Sequence, residues 1–76
     1  MDNLLSPVTV IQSSGIILHI LSMKVEMEFA ELHSISGLDS ENFYMSIGYL
    51  VKEDRVIFYY DGDRLKIKLI GRNYSN

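Results

Sequence analysis

The stretch GLDSENFYMSIGYLVKE, residues 37–53, opens with a glycine and an acid. It then sets Phe43, Ile47, Leu50 and Val51 at the i, i+4, i+7, i+8 spacing that lines up side chains along one side of a helix. A stripe that broad has to be covered, and 76 residues hold material for one core only. The rest of the chain is therefore read as the cover for this stripe: one domain over residues 1–76, with a core at about 7–70 and a frayed polar tail at 71–76.

Upstream, Ser6-Pro7 is a helix start, because proline at the first helical position gives up a donor that would have no partner anyway. From Val8 to Ser22 a helix is expected, with Val10, Ile17 and Leu21 on one side and Ile11 and Leu18 adjoining. Its many β-branched residues give poor propensity, so packing must hold it. Gly15 there and Gly48 in the later helix are expected to mark a close approach of the two helices. Met23 to Met27 alternates apolar and charged residues, the period of a short strand. A helix over Glu28 to Ser36 follows, carrying Phe29, Leu32 and Ile35 inward, stopped by Gly37 and separated from the next helix by an Asp39 or Ser40 cap. Two helices joined by so short a glycine-containing turn form a helix-turn-helix pattern.

The C-terminal part supplies a hairpin. Two β-rich runs, Arg55 to Tyr60 and Arg64 to Ile70, flank Asp61-Gly62-Asp63, and Asp-Gly is a favoured two-residue turn. With Asp61-Gly62 as the loop, Val56 faces Ile67, Phe58 faces Leu65, Ile57 faces Lys66 and Tyr59 faces Arg64, so one face is apolar and the other mixed. A hairpin alone is marginal, and the strand at Met23 to Met27 is its natural third member. The order helix, strand, helix, helix, hairpin is an α+β winged helix arrangement, with the third helix as the reading element and the hairpin as the wing.

The runs SGIILHIL and EFAELHSISGLDSENFYMSIGYLVKEDRVIF carry a closer likeness. Through Gly15, Ile17, His19 and Leu21, then Glu31-Leu32, then Ile47-Gly48, Leu50 and Glu53, the chain resembles a family of small bacterial winged helix-turn-helix proteins of poorly defined function. The resemblance covers residues 14–60. Two tryptophans of the family pattern are replaced, by Leu18 and Tyr49, and its third-helix arginine is Lys52. The family brings no catalytic residues to carry over.

Composition narrows the function. With no cysteine, disulfides and thiolate metal sites are excluded. His19 and His33 are too few for a metal site, so no cofactor is expected. The serines Ser13, Ser14, Ser36 and Ser40 have no paired base, which argues against nucleophilic catalysis, and a non-enzymatic domain is expected. No apolar run approaches the roughly 20 residues of a membrane span, and the acid near the N-terminus is unlike a secretory leader, so the expected location is the cytoplasm. The methionines suggest core filling.

The net charge of −3 is unevenly divided. Residues 1–54 carry Asp2, Glu26, Glu28, Glu31, Asp39, Glu41, Glu53 and Asp54 against Lys24 and Lys52. Residues 55–76 carry Arg55, Arg64, Lys66, Lys68 and Arg72 against Asp61 and Asp63. Attraction for phosphate must come from the second part. A nucleic-acid-binding reading therefore takes Asn42, Tyr49 and Lys52 from the third helix, and Arg55, Tyr59, Arg64, Lys66 and Lys68 from the wing. Duplex DNA is the partner on that reading. The alternative is a winged helix used for protein contact through its acidic first part, with the wing charges serving only to discourage edge association. Neither reading includes a membrane or a small-molecule substrate.

Overall fold

The computed structural model describes residues 7–70. Its elements are α1 (Pro7–Lys24), β1 (Glu26–Glu28), α2 (Phe29–Ser36), α3 (Ser40–Lys52), β2 (Val56–Asp61) and β3 (Arg64–Leu69). The strands form an antiparallel sheet in the order β1-β3-β2. Three helices with this small sheet are the α+β winged helix arrangement expected above. Proline does open α1; the Ser6 cap and the tail at 71–76 lie outside the described residues.

The core is built from Ile17 and Leu21 of α1, Met27 of β1, Leu32 of α2, Phe43, Ile47 and Leu50 of α3, Val56 of β2 and Ile67 of β3. Every element contributes, so no pair of them could bury the α3 stripe alone. Removing Phe43 or Leu50 from water is worth about 1.5–3 kcal/mol each. The periodicity was too generous at three points. Val51, 40% exposed, leaves the stripe because Ser46 takes the opposite flank and turns α3 toward α1. Ile35, 53% exposed, falls beyond the reach of α3 because α2 ends one residue later. Ile11 is exposed on α1, while Leu18 packs against the core edge as expected. Of the described methionines only Met27 fills the core; Met23 and Met45 are exposed.

The first strand is shorter and later than its alternation suggested. α1 runs on to Lys24, and the chain then reverses at Val25, whose φ of +72° is a costly conformation for a β-branched residue. Its N–H donates to Leu21 O at 2.5 Å and its carbonyl accepts from Leu69 N at 2.7 Å, so the reversal ties α1 to the sheet. The hairpin register also differs from expectation. Asp61 pairs with Arg64, which makes Gly62-Asp63 the loop and moves every partner by two: Val56 faces Leu69, Phe58 faces Ile67, Ile57 faces Lys68 and Tyr59 faces Lys66. Only Gly62, at φ +69°, takes the left-handed conformation, as a type II′ turn requires of its first loop residue. A shift of two preserves side-chain parity, so the apolar and mixed faces are those expected.

Candidate nucleic-acid interface

The turn that aims α3 is fixed by side chains. Gly37 ends α2 at φ +72°. Asp39 caps α3 by accepting from Asn42 N at 2.9 Å. His33 lies flat against Phe43, ring centroids 4.3 Å apart, and its Nε2–H donates to Leu38 O at 3.2 Å. Ser36 bridges the same turn, donating to His33 O at 2.8 Å and accepting from Leu38 N at 3.2 Å. His33 is thus a pin between α2 and α3.

α1 and α3 meet through buried hydroxyls rather than through glycines. Ser14 donates to Val10 O at 2.8 Å and lies 3.4 Å from Ser46 O, while Ser46 donates to Val10 O at 3.3 Å. Each of these small side chains therefore satisfies its polar atom inside the seam. Gly15 and Gly48 are exposed, and a Cβ at either would meet nothing within 4 Å, so the expected glycine contact is wrong. The small residues that let the helices approach are the neighbouring serines.

This seam changes the outer face of α3. Asn42 is half-buried and its side-chain oxygen accepts from Ser13 at 3.4 Å, so its amide is turned toward α1 and not outward as the helical wheel suggested. Tyr49 is likewise half-buried and packs against the core. The residues left fully on the outside are Glu41, Met45, Gly48 and Lys52. Lys52 has a carboxylate of its own chain neighbour, Glu53, at 4.0 Å. At the end of α3 the turn into β2 closes with Arg55 N donating to Leu50 O at 2.9 Å and Asp54 N to Val51 O at 3.0 Å, with Asp54 at φ +59°. These are the two bonds of a Schellman cap, with aspartate where glycine is usual.

On the wing, the expected basic face is present but covered. β1 pairs with β3 so that Glu26 stands opposite Lys68 and Glu28 opposite Lys66. Arg64 donates to the Glu28 carboxylate, the Tyr59 hydroxyl donates to the Glu26 carboxylate, and Lys66 lies 3.9 Å from Asp61. The bond to Glu26, with desolvation and the charges of Glu26 and Asp61 adding to it, pushes the Tyr59 hydroxyl from its ordinary 10.0 up to about 12. Among the described bases only Arg55 and Lys68 have no carboxylate within 4.0 Å. Both are exposed on the outer face of the sheet.

Glu26, Glu28 and the serines of the α1–α3 seam were missed as determinants of the interface. The signal for the glutamates existed: they alternate with Met27, and any antiparallel pairing of that strand with the wing brings acids beside its bases. Among the described residues no group of three or more His, Cys, Asp or Glu side chains is placed to hold a metal. No described helix is long and apolar enough to cross a membrane.

An α2–turn–α3 unit packed under α1 and flanked by a β2–β3 wing defines a winged helix-turn-helix domain. The sequence profile of the winged helix-turn-helix family DUF2582 matches residues 9–69, and the chain belongs to that family. A search of curated proteins finds no significant match.

Proposed function

We propose that the chain is a non-catalytic nucleic-acid-binding module of the regulatory kind, with a small phosphate footprint. The observation that carries this reading is the free outer face of α3, which ends in Lys52 and leads directly into Arg55, with exposed Lys68 on the adjoining sheet. Those three cations are the phosphate contacts. Arg64, hydrogen-bonded to Glu28, and Lys66, whose side chain is only 24% exposed beside Asp61, contribute little, whereas the Lys52 side chain is 79% exposed and only loosely paired with Glu53; Asn42 reads no base while it is bonded to Ser13. With Glu41 and Met45 on the same face, base discrimination is weak and shape dominates. Titration of random duplex at low salt should give binding whose affinity falls with salt at a slope of roughly −3, at about 0.9 per neutralised phosphate. Lys52→Glu with Lys68→Glu should abolish it, and amide shifts should fall on α3 and the outer face of the sheet. No shifts on either would end this reading.

The protein-contact alternative is favoured by one observation, the aromatic surface in which exposed Tyr44 and Phe58 flank the half-buried Phe29. It would gain if duplex failed to bind and Tyr44→Glu abolished capture of a specific partner.

A further inference from the structure

β2 is the outer strand of the sheet, and its open edge is unusual. Val56 to Tyr60 is an uninterrupted uncharged run, with Ile57 48%, Phe58 39% and Tyr60 70% exposed. Exposed edges are normally blunted by lysine, proline or a bulge. None of these stands on β2, and no described element covers its free side.

The backbone of that edge is poised in a definite way. Arg55 O accepts from Ile70 N at 2.9 Å, and Asp61 pairs with Arg64 beside the two-residue turn. In an antiparallel pair the bonds alternate, so Arg55, Ile57, Tyr59 and Asp61 direct their polar backbone groups to β3. Val56, Phe58 and Tyr60 direct theirs to the open side.

We propose that this edge pairs antiparallel with the same edge of a second copy, about a two-fold axis at Phe58. Phe58 then stands opposite the partner's Phe58, and Val56 opposite the partner's Tyr60. Each of the three outward-directed residues donates one backbone hydrogen bond and accepts one. The intervening pairs bring Ile57 opposite the partner's Tyr59 and Arg55 opposite the partner's Asp61, at the closely spaced positions where side chains meet most directly. The charge pattern selects this arrangement: among the described residues Arg55 has no carboxylate within 4.0 Å, and Asp61 has only Lys66, at 3.9 Å. Sliding the register by two one way puts Arg55 opposite Tyr59 and Asp61 opposite Glu53, and the other way puts Asp61 opposite Ile57 and carries Arg55 past the strand to the turn residue Asp63, while sliding by one turns the free backbone groups away from each other. On the inner face the two-fold axis brings together the exposed Phe58 rings, each backed by the half-buried Phe29 at 5.5 Å, which in turn stacks on Tyr44 at 6.2 Å. Interfaces of this kind are self-complementary and close on themselves.

The pairing goes beyond nucleic-acid binding and does not depend on it: of the three proposed phosphate contacts Lys52 and Lys68 belong to α3 and β3, and Arg55 alone lies at the edge. Arg55, with five donors, can serve both a partner carboxylate and a phosphate. Sedimentation of the chain between about 10 µM and about 1 mM, the range in which a seam this small associates, should show a concentration-dependent dimer. Phe58→Glu should leave it monomeric. Because Phe58 touches Phe29, a charge swap provides the independent check: Arg55→Asp and Asp61→Arg should each weaken the dimer about tenfold, and the double variant should restore it. Monomer throughout the range in the parent chain, or a dimer indifferent to all these changes, would overturn the proposal.

Discussion

The α1–α3 seam and the outer face of the sheet handle polar groups in opposite ways. In the seam, Ser14 and Ser46 are buried and satisfied one hydrogen bond at a time, and the helix they hold keeps an outer face with few charges. On the sheet, charges are abundant and exposed, yet carboxylates hold two of the four bases: Glu28 of β1 takes Arg64, and Asp61 of β2 lies beside Lys66. The seam fixes where α3 points, and the sheet fixes how much positive charge stands next to it. The difference teaches that a basic run in sequence is not a basic surface until the strand beside it is known.

The largest test breaks the first region. Phe43→Ala removes the ring that joins α3 to His33 and Phe29, and should cost about 3–5 kcal/mol in denaturant unfolding. Overfilling the seam is the next largest: Ser46→Leu should cost about 1–3 kcal/mol and move the amide resonances of α1 and α3 together. If neither exceeds the scatter of surface substitutions, the seam does not position the helix. Val25→Asn works in the other direction, since asparagine tolerates φ +72° better than valine does, and should raise stability by about 1 kcal/mol.

The smallest effect sharpens the second region. Tyr59 should titrate near pH 12 by its phenolate absorbance, and Glu26→Gln should return it toward 10.0. Because the folded-state value is raised, the stabilisation from this bond is complete below pH 10.0 and is lost as pH rises through about 12. A phenol already titrating at its ordinary value in the parent chain would mean that Glu26 does not hold it.

Much of this was legible beforehand. Phe43, Ile47 and Leu50, the stop at Gly37 and a cap at Asp39 or Ser40 follow from spacing and local chemistry, because one helix and its ends suffice to define them; the bond from Asn42 N picks Asp39. The hairpin's faces were legible and its partners were not: Asp61-Gly62 and Gly62-Asp63 are both sound turns, and parity is the same for either. Asn42 and Tyr49 sit at the flank of the helical wheel, where the neighbouring helix decides whether a side chain is inside or outside. The glycine contact failed because Ser14, next to Gly15, and Ser46, two residues before Gly48, face the seam and are small enough to do the same work. The masking of Arg64 was hidden because it depends on β1, which is close to it only after folding, and that of Lys66 because it depends on Asp61, which the expected register had placed in the turn.

The salt dependence of duplex binding tests the central claim most directly, with Glu26→Gln/Glu28→Gln measured beside the parent chain. If carboxylates of β1 hold the wing's charge in check, the parent should show a shallow slope of roughly −3, and the double variant, which releases Arg64, should bind more tightly with a slope steeper by about 1. An unchanged slope, or a parent chain already as steep as its full set of wing bases would make it, would contradict the account.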